Sequence, residues 1–148
     1  MSEANKEIVR RIEEAWNTSD VDALDQYFAE DFAPPSGIPQ APPGLAGAKV
    51  AHGMAMQSFP DRKVTIEDLI ADGDKVVARC RVTGTNQGGV PWAGAPANGN
   101  PVDFEWISIY QLRDGKVVNH WAINDAMTLM TQLGVIPMPE SAPDATVG

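Results

Sequence analysis

Two valines, Val117 and Val118, lead into Asn119-His120-Trp121-Ala122-Ile123-Asn124-Asp125. A carboxyl, an imidazole and an amide crowded together at a strand end are groups that can move protons. A carboxyl whose pKa is raised by burial from ~3.9 toward neutrality can take a proton from a carbon flanked by two carbonyls. It can later return that proton to a new alkoxide. Asp125 is the candidate for this acid/base work. His120 or Asn124 could donate a hydrogen bond to an enolate oxygen. A second reading stands beside the first. Asp125 precedes an apolar helical pattern, AMTLMTQLG, where aspartate is a favoured N-cap, and the two roles are compatible. In an extended strand His120, Ala122 and Asn124 share one face, and Trp121, Ile123 and Asp125 the other. Only a bulge or the strand end could bring His120 and Asp125 into one pocket.

Other polar sets invite the same weighing. Asp103 and Glu105 alternate on one strand, and Arg79 and Arg81 on another. With Asp125 they could form an Asp–Arg–Asp arrangement in which a carboxylate takes a proton from water. The plainer reading is cross-strand ion pairing on a solvated face. Trp106, Ser108 and Tyr110 have the opposite parity to Glu105, so the two sets cannot line one pocket. His52 lies near the apolar face of a helix, as a pocket or core residue. The histidines are far apart and lack a carboxylate at ligand spacing, so no metal site is expected. Trp16, Phe28, Phe32, Met54, Met56, Trp92 and Tyr110 are candidate pocket walls, suited to a flat apolar ligand. No phosphate loop, dinucleotide fingerprint or nucleophile elbow is present.

Elements of both periods must position these residues. A first helix is predicted over about 3–17, with Ile8, Val9, Ile12, Ala15 and Trp16 on one face. Ser19 and Asp22 resemble a capping box for a second helix that carries Val21, Leu24, Tyr27 and Phe28. Residues 33–44, APPSGIPQAPPG, are too rich in proline for regular structure. A third helix covers Leu45 to Phe59 and stops at Pro60. Strands follow. The first slips its alternation at Glu67-Asp68, as a β-bulge would. ADGD at 71–74 turns it into KVVARCRVTGT. A Gly/Pro/Asn loop, 86–101, holds Trp92, and a loop of that length is often functional. VDFEWISIYQL and KVVNHWAI form a second hairpin around the RDG at 113–115. A last helix, 126–133, ends at Gly134. Helices first, hairpins second and a helix last make an α+β fold. A curved, mostly antiparallel sheet with helices across its open side would be a cone. Residues 1–135 form one domain, and 136–148 a loose Pro-rich tail.

The chain of 148 residues carries a formal net charge of −9. That charge disfavours nucleic acid and anionic membranes as partners. The single cysteine, Cys80, lies in an apolar run and reads as a small buried hydrophobe. The N-terminus has no signal-peptide core, and no stretch is long and apolar enough to span a bilayer, so a cytoplasmic protein is expected.

SFPDRKVTIEDLIADGDKVVARCRVTGT and FEWISIYQLRDGKVVNHWAINDAMTLMTQLG together resemble the SnoaL-like polyketide cyclases, in the nuclear-transport-factor-2-like superfamily of cone-shaped α+β barrels. The likeness covers roughly residues 5–135. It implies a cofactor-independent pocket in which Asp125 is the acid/base of an intramolecular aldol closure and Trp16 a pocket aromatic. The sequence departs from the family pattern at DFAPPSGIP, where many members carry a histidine, at Asn86 and in MTLM. The expected function is a cyclase or isomerase acting on a small hydrophobic carbonyl compound. Asp125 and His120 are its catalytic candidates. Trp16, His52, Met56, Phe28, Trp106, Tyr110 and Asn124 are its substrate contacts. The alternatives are an epoxide hydrolase and a non-catalytic binding module. A homodimer is expected by family analogy.

Overall fold

The computed structural model describes residues 2–30 and 42–137. Phe32, most of the proline-rich stretch and most of the C-terminal tail lie outside the described residues. Helix α1 is Ser2–Ala15, α2 is Gly44–Ser58 and α3 is Ala126–Gln132. Strands β1 (Lys63–Asp72), β2 (Lys75–Thr85), β3 (Pro101–Arg113) and β4 (Lys116–Asn124) form one antiparallel sheet in chain order. This is the expected α+β cone.

Two register shifts bend the sheet. One lies between Ile66 and Asp68, where the alternation slips, and the other between Gln111 and Leu112. The RDG turn closes its hairpin with Asp114 and Gly115 both at positive φ, the conformation a tight right-twisted hairpin requires.

The concave face carries the core. Across β2 and β3, Val76 faces Tyr110, Ala78 faces Ser108, Cys80 faces Trp106 and Val82 faces Phe104. Helix α1 lies over β1 and β2 and buries Val9, Ile12 and Ala15 there. The Asn17 amide fixes the helix end to β1. It donates to the Val64 carbonyl at 3.0 Å and accepts from the Val64 N–H at 2.6 Å. Trp16 is thereby held at the cone's mouth. Cys80 is a buried free thiol, as its apolar surroundings predict.

Residues Val21–Tyr27 form a 3₁₀ turn, not the expected second α-helix, and its cap is Asp20, not Ser19. The Asp20 carboxylate accepts from the Asp22 N–H at 2.9 Å and tightens the first turn. The loop after β2 is built around Asn86. Its buried side chain donates to the Pro96 carbonyl and to Asn98, and accepts from the Gly89 N–H. Asn98 and Asn100 donate in turn to the Leu133 and Gln132 carbonyls at the end of α3. The loop is therefore docked, with Trp92 at its tip.

Candidate active site

A cavity of about 120 Å³ opens between α2, the concave sheet face and the docked loop. Trp16, Trp92 and Trp106 supply its aromatic walls. Met54, Ala55 and Ser58 come from α2, and Phe59 from the residue after it. Val82, Phe104 and Leu129 add apolar surface, and Asn124 closes one side. The volume is comparable to the ~150 Å³ apolar cavity that takes up benzene. Its opening lets a larger ligand extend outward. The Trp16 ring meets Trp106 edge-on at 5.9 Å, and Trp106 meets Phe104 at 6.5 Å, an arrangement aromatic rings favour.

Behind Trp106 lies a carboxyl that the sequence reading missed. Glu13 of α1 is only 1% exposed. The Tyr110 hydroxyl donates to its Oε1 at 2.8 Å and the Trp106 indole N–H to its Oε2 at 3.2 Å. Burial pushes its pKa from 4.5 up to about 7, against hydrogen bonds from Tyr110, Cys80 and Trp106 that pull it down. Tyr110 is itself buried and its pKa is pushed up, first by burial and then by Glu13. The signal was in the sequence. Glu13 stands four residues after Val9 and one after Ile12, inside the apolar stripe of α1, where a glutamate would be buried.

At the mouth, Arg62 is 8% exposed and lines the cavity. Its Nε–H donates to the Trp16 carbonyl at 2.6 Å, and Nη2 to the Thr18 carbonyl at 2.5 Å. His52 is fully buried behind it, with Nε2 3.3 Å from the Arg62 Nη2 and 3.0 Å from the Thr18 carbonyl oxygen. The His52 pKa is lowered, chiefly by burial. His52 abuts Trp16 edge-on at 5.2 Å. It supports the wall and is not among the lining residues.

Of the other expected site residues, the structure brings Trp16, Trp106 and Asn124 to the cavity, with Met54 and Trp92. Tyr110 lies beneath it, bonded to Glu13. Phe28 and Met56 are not among the lining residues. Phe28 instead sits in the core and bridges to Val117 on β4.

Asp125 stands apart from the cavity. Its carboxylate accepts from the Thr128 N–H at 3.2 Å and the Thr128 hydroxyl at 2.6 Å, so it is the N-cap of α3. Those bonds hold its pKa below the usual carboxylate value. The side chain is exposed and lines a charged surface groove with Arg79, Arg81 and Asp103. A solvated carboxylate with a lowered pKa is a poor proton acceptor, which corrects the expectation of a buried, poised Asp125.

His120 is on the concave face, as strand parity requires, and Asp125 is on the other. The His120 ring stacks on Tyr110 with centroids 4.4 Å apart. Burial lowers its pKa to about 4, and its Nε2 has no hydrogen-bond partner among the described residues. It too is absent from the cavity lining.

The Arg–carboxylate set proves to be cross-strand ion pairs. Arg79 bridges Asp68 and Glu105 at 2.7 Å each, and Arg81 pairs with Asp103. All these side chains are solvent-exposed, so the buried water-activating cluster of a hydrolase does not form here. Among the described residues no group of three or more His, Cys, Asp or Glu is placed to hold a metal ion.

A curved antiparallel sheet with helices over its concave side, enclosing an aromatic-walled cavity, defines a cone-shaped α+β protein. The sequence matches the SnoaL-like polyketide cyclase family over residues 6–133, and the chain belongs to that family. No curated protein sequence matches it. Solved structures do. TsrD from Streptomyces laurentii is 28% identical, with a TM-score of 0.81 over 90% of this chain and 97% of its own. A Bacillus cereus protein provisionally named a polyketide cyclase is 32% identical, with a TM-score of 0.74 over 87% and 79%. IdmH from Streptomyces antibioticus, also provisionally named a polyketide cyclase, is 30% identical, with a TM-score of 0.72 over 88% and 98%. Family and neighbours together support a cyclase-type role. No helix among the described residues is long and apolar enough to cross a membrane.

Proposed function

We propose that this protein is a cofactor-independent cyclase, of lyase or isomerase type, acting on a small hydrophobic carbonyl compound such as a polyketide ester. The observation that carries the reading is a buried carboxyl of pKa about 7, Glu13, directly behind an aromatic-walled cavity. In an intramolecular aldol closure, the Glu13 carboxylate takes a proton from the carbon between two carbonyls. The resulting enolate carbon attacks a second carbonyl of the same molecule, and a C–C bond forms. The carbonyl's π pair becomes an alkoxide, which the Glu13 acid protonates. A carboxyl with a pKa near the working pH serves both steps. The bond from Trp106 to Glu13, at 3.2 Å, is longer than the 2.8 Å bond from Tyr110, and it is the one a substrate's acidic C–H would replace.

Turnover of 1,3-dicarbonyl polyketide esters by variant proteins tests this. Glu13→Gln is expected to lower kcat by at least a hundredfold, on the order of a lost general acid/base. Asp125→Asn is expected to leave kcat within a few-fold. The reverse pattern would return the role to Asp125.

One observation favours a second reading, a non-catalytic binder of apolar ligands: Glu13 itself does not line the cavity. Tight ligand binding with no turnover by the wild-type protein would select it. The protein works in the cytoplasm, where a free thiol such as Cys80 persists. It forms a homodimer through the convex sheet face, where Ile107, Trp121 and Ile123 are exposed.

A further inference from the structure

Arg62 is a cation at the wall of an apolar cavity, and every partner it has among the described residues is neutral. Three are carbonyls, of Trp16, Thr18 and Phe59, and the fourth is the His52 imidazole. No carboxylate among the described residues forms an ion pair with it. Burial alone shifts its pKa, downward, with no anion pulling the other way. A buried charge is normally paired, because removing it from water is costly. The Trp16 and Thr18 carbonyls follow the end of α1, and a helix C-terminus supplies roughly half a negative charge. That explains part of the arrangement, a cap on α1, and leaves the rest of the cation uncompensated.

The donors point to where compensation would come from. A guanidinium has five N–H groups. Nε donates to the Trp16 carbonyl and Nη2 to the Thr18 carbonyl, with His52 Nε2 3.3 Å from Nη2. Among the described residues Nη1 has only the Phe59 carbonyl, at 3.4 Å. One Nη1 N–H therefore remains for a ligand in a cavity whose other walls are aromatic and aliphatic apart from Ser58 and Asn124.

We propose that the cavity is an acid-binding site: it takes a planar apolar body about one ring in size whose carboxylate rests on the Nη1 edge of Arg62. The acid group would be fixed at the mouth and the ring held among Trp16, Trp92 and Trp106. This deepens the proposed function by adding a free carboxylate to the hydrophobic carbonyl substrate named there, and it rests on the same cavity, though not on turnover there.

The test uses benzoate and acetophenone, which share a ring and a carbonyl and differ in charge. Each is titrated into the full chain while nitrogen-15 NMR follows the indole N–H signals of the three cavity tryptophans and the Arg62 Nε–H. Benzoate is expected to shift these signals at a concentration at least tenfold below that of acetophenone. In Arg62→Gln the preference should vanish, so that benzoate and acetophenone bind alike, and Arg62→Lys should restore part of it. If Arg62→Gln does not fold, the two wild-type titrations decide. Equal binding of the two probes, or benzoate shifts confined to signals outside the cavity, would overturn the acid preference and leave the cavity reading standing. If neither probe moves the indole signals, both fall.

Discussion

Glu13 and His120 shift in opposite directions over the same pH range. The folded protein holds the Glu13 proton up to about pH 7, whereas the unfolded chain releases it near 4.5. The folded state thus binds more protons between those values, and stability falls as pH rises through them. His120 is the reverse. It stays neutral in the fold down to about pH 4, while the unfolded chain takes up a proton near 6.5. Stability from this group is therefore lost as pH falls from 6.5 toward 4. Each shift is worth about 3 kcal/mol, so the two slopes offset each other between pH 4.5 and 6.5. The wild-type melting temperature should be nearly flat in that window. Glu13→Gln should make it rise with pH there, and His120→Asn should make it fall. Melting curves at half-unit pH steps check this; parallel profiles for all three proteins would mean that neither group titrates as described. The opposing faces of His120 and Asp125 were legible in the sequence, because strand parity is strict. The depth of Glu13 was legible too, but the α1 stripe was read for its apolar members only. Arg62 was not legible. Its partners Trp16 and Thr18 lie 46 and 44 residues away in sequence, and nothing local announces a carbonyl cage.

At the scale of elements, helix and strand periods located every strand and both longer helices, because amphipathic patterns follow directly from burial. Two segments escaped that logic. Val21–Tyr27 is short enough for its cap to decide its geometry, and a 3₁₀ turn results. The loop after β2 takes its shape from the side-chain bonds of Asn86, which no periodic pattern announces. How closely that loop docks shows at Gly88. A Cβ there would lie 1.8 Å from the Gln57 carbonyl oxygen of α2, and the Gln87 and Gly88 N–H groups both donate to the Ser58 carbonyl. Backbone cannot yield as a side-chain tip can. Gly88→Ala should therefore lift the loop off α2 and cost about 1–3 kcal/mol. Trp92 would move with it, and the cavity would lose a wall. Gly53, also on α2, is different: a Cβ there would meet nothing within 4 Å. Gly53→Ala should therefore stabilise by up to about 1 kcal/mol through helix propensity. Chemical denaturation compares the two, and hydrogen exchange across 86–100 reports the loop. Unchanged exchange in Gly88→Ala would mean that the loop is not held by that contact.

For the whole molecule, the two faces of the sheet divide the work. The concave face holds the cavity and Glu13. The convex face is split along its length. At one end Arg79 and Arg81 are neutralised by their carboxylate partners. At the other, strand register lines up an apolar row, Ile70 opposite Val77, Val77 opposite Ile109 and Ile109 opposite Trp121. Ile107 and Ile123 form the adjoining pair, and Ile123 is 80% exposed. Lone exposed apolar residues are common on monomers, but a row crossing all four strands is a contiguous patch of the kind that marks an interface. A second copy is the occupant proposed for it. Two copies each carrying −9 repel at long range, so the contact must come from apolar burial, and added salt should strengthen it by screening the repulsion. Ile123→Lys places a charge in the centre of that surface and disturbs nothing within the monomer, because the side chain already faces solvent. Sedimentation equilibrium should find the wild-type protein dimeric and Ile123→Lys monomeric, with unchanged melting of the isolated fold. A wild-type monomer at all concentrations and salts would remove the dimer. A dimer that survives Ile123→Lys would move the interface elsewhere on the cone.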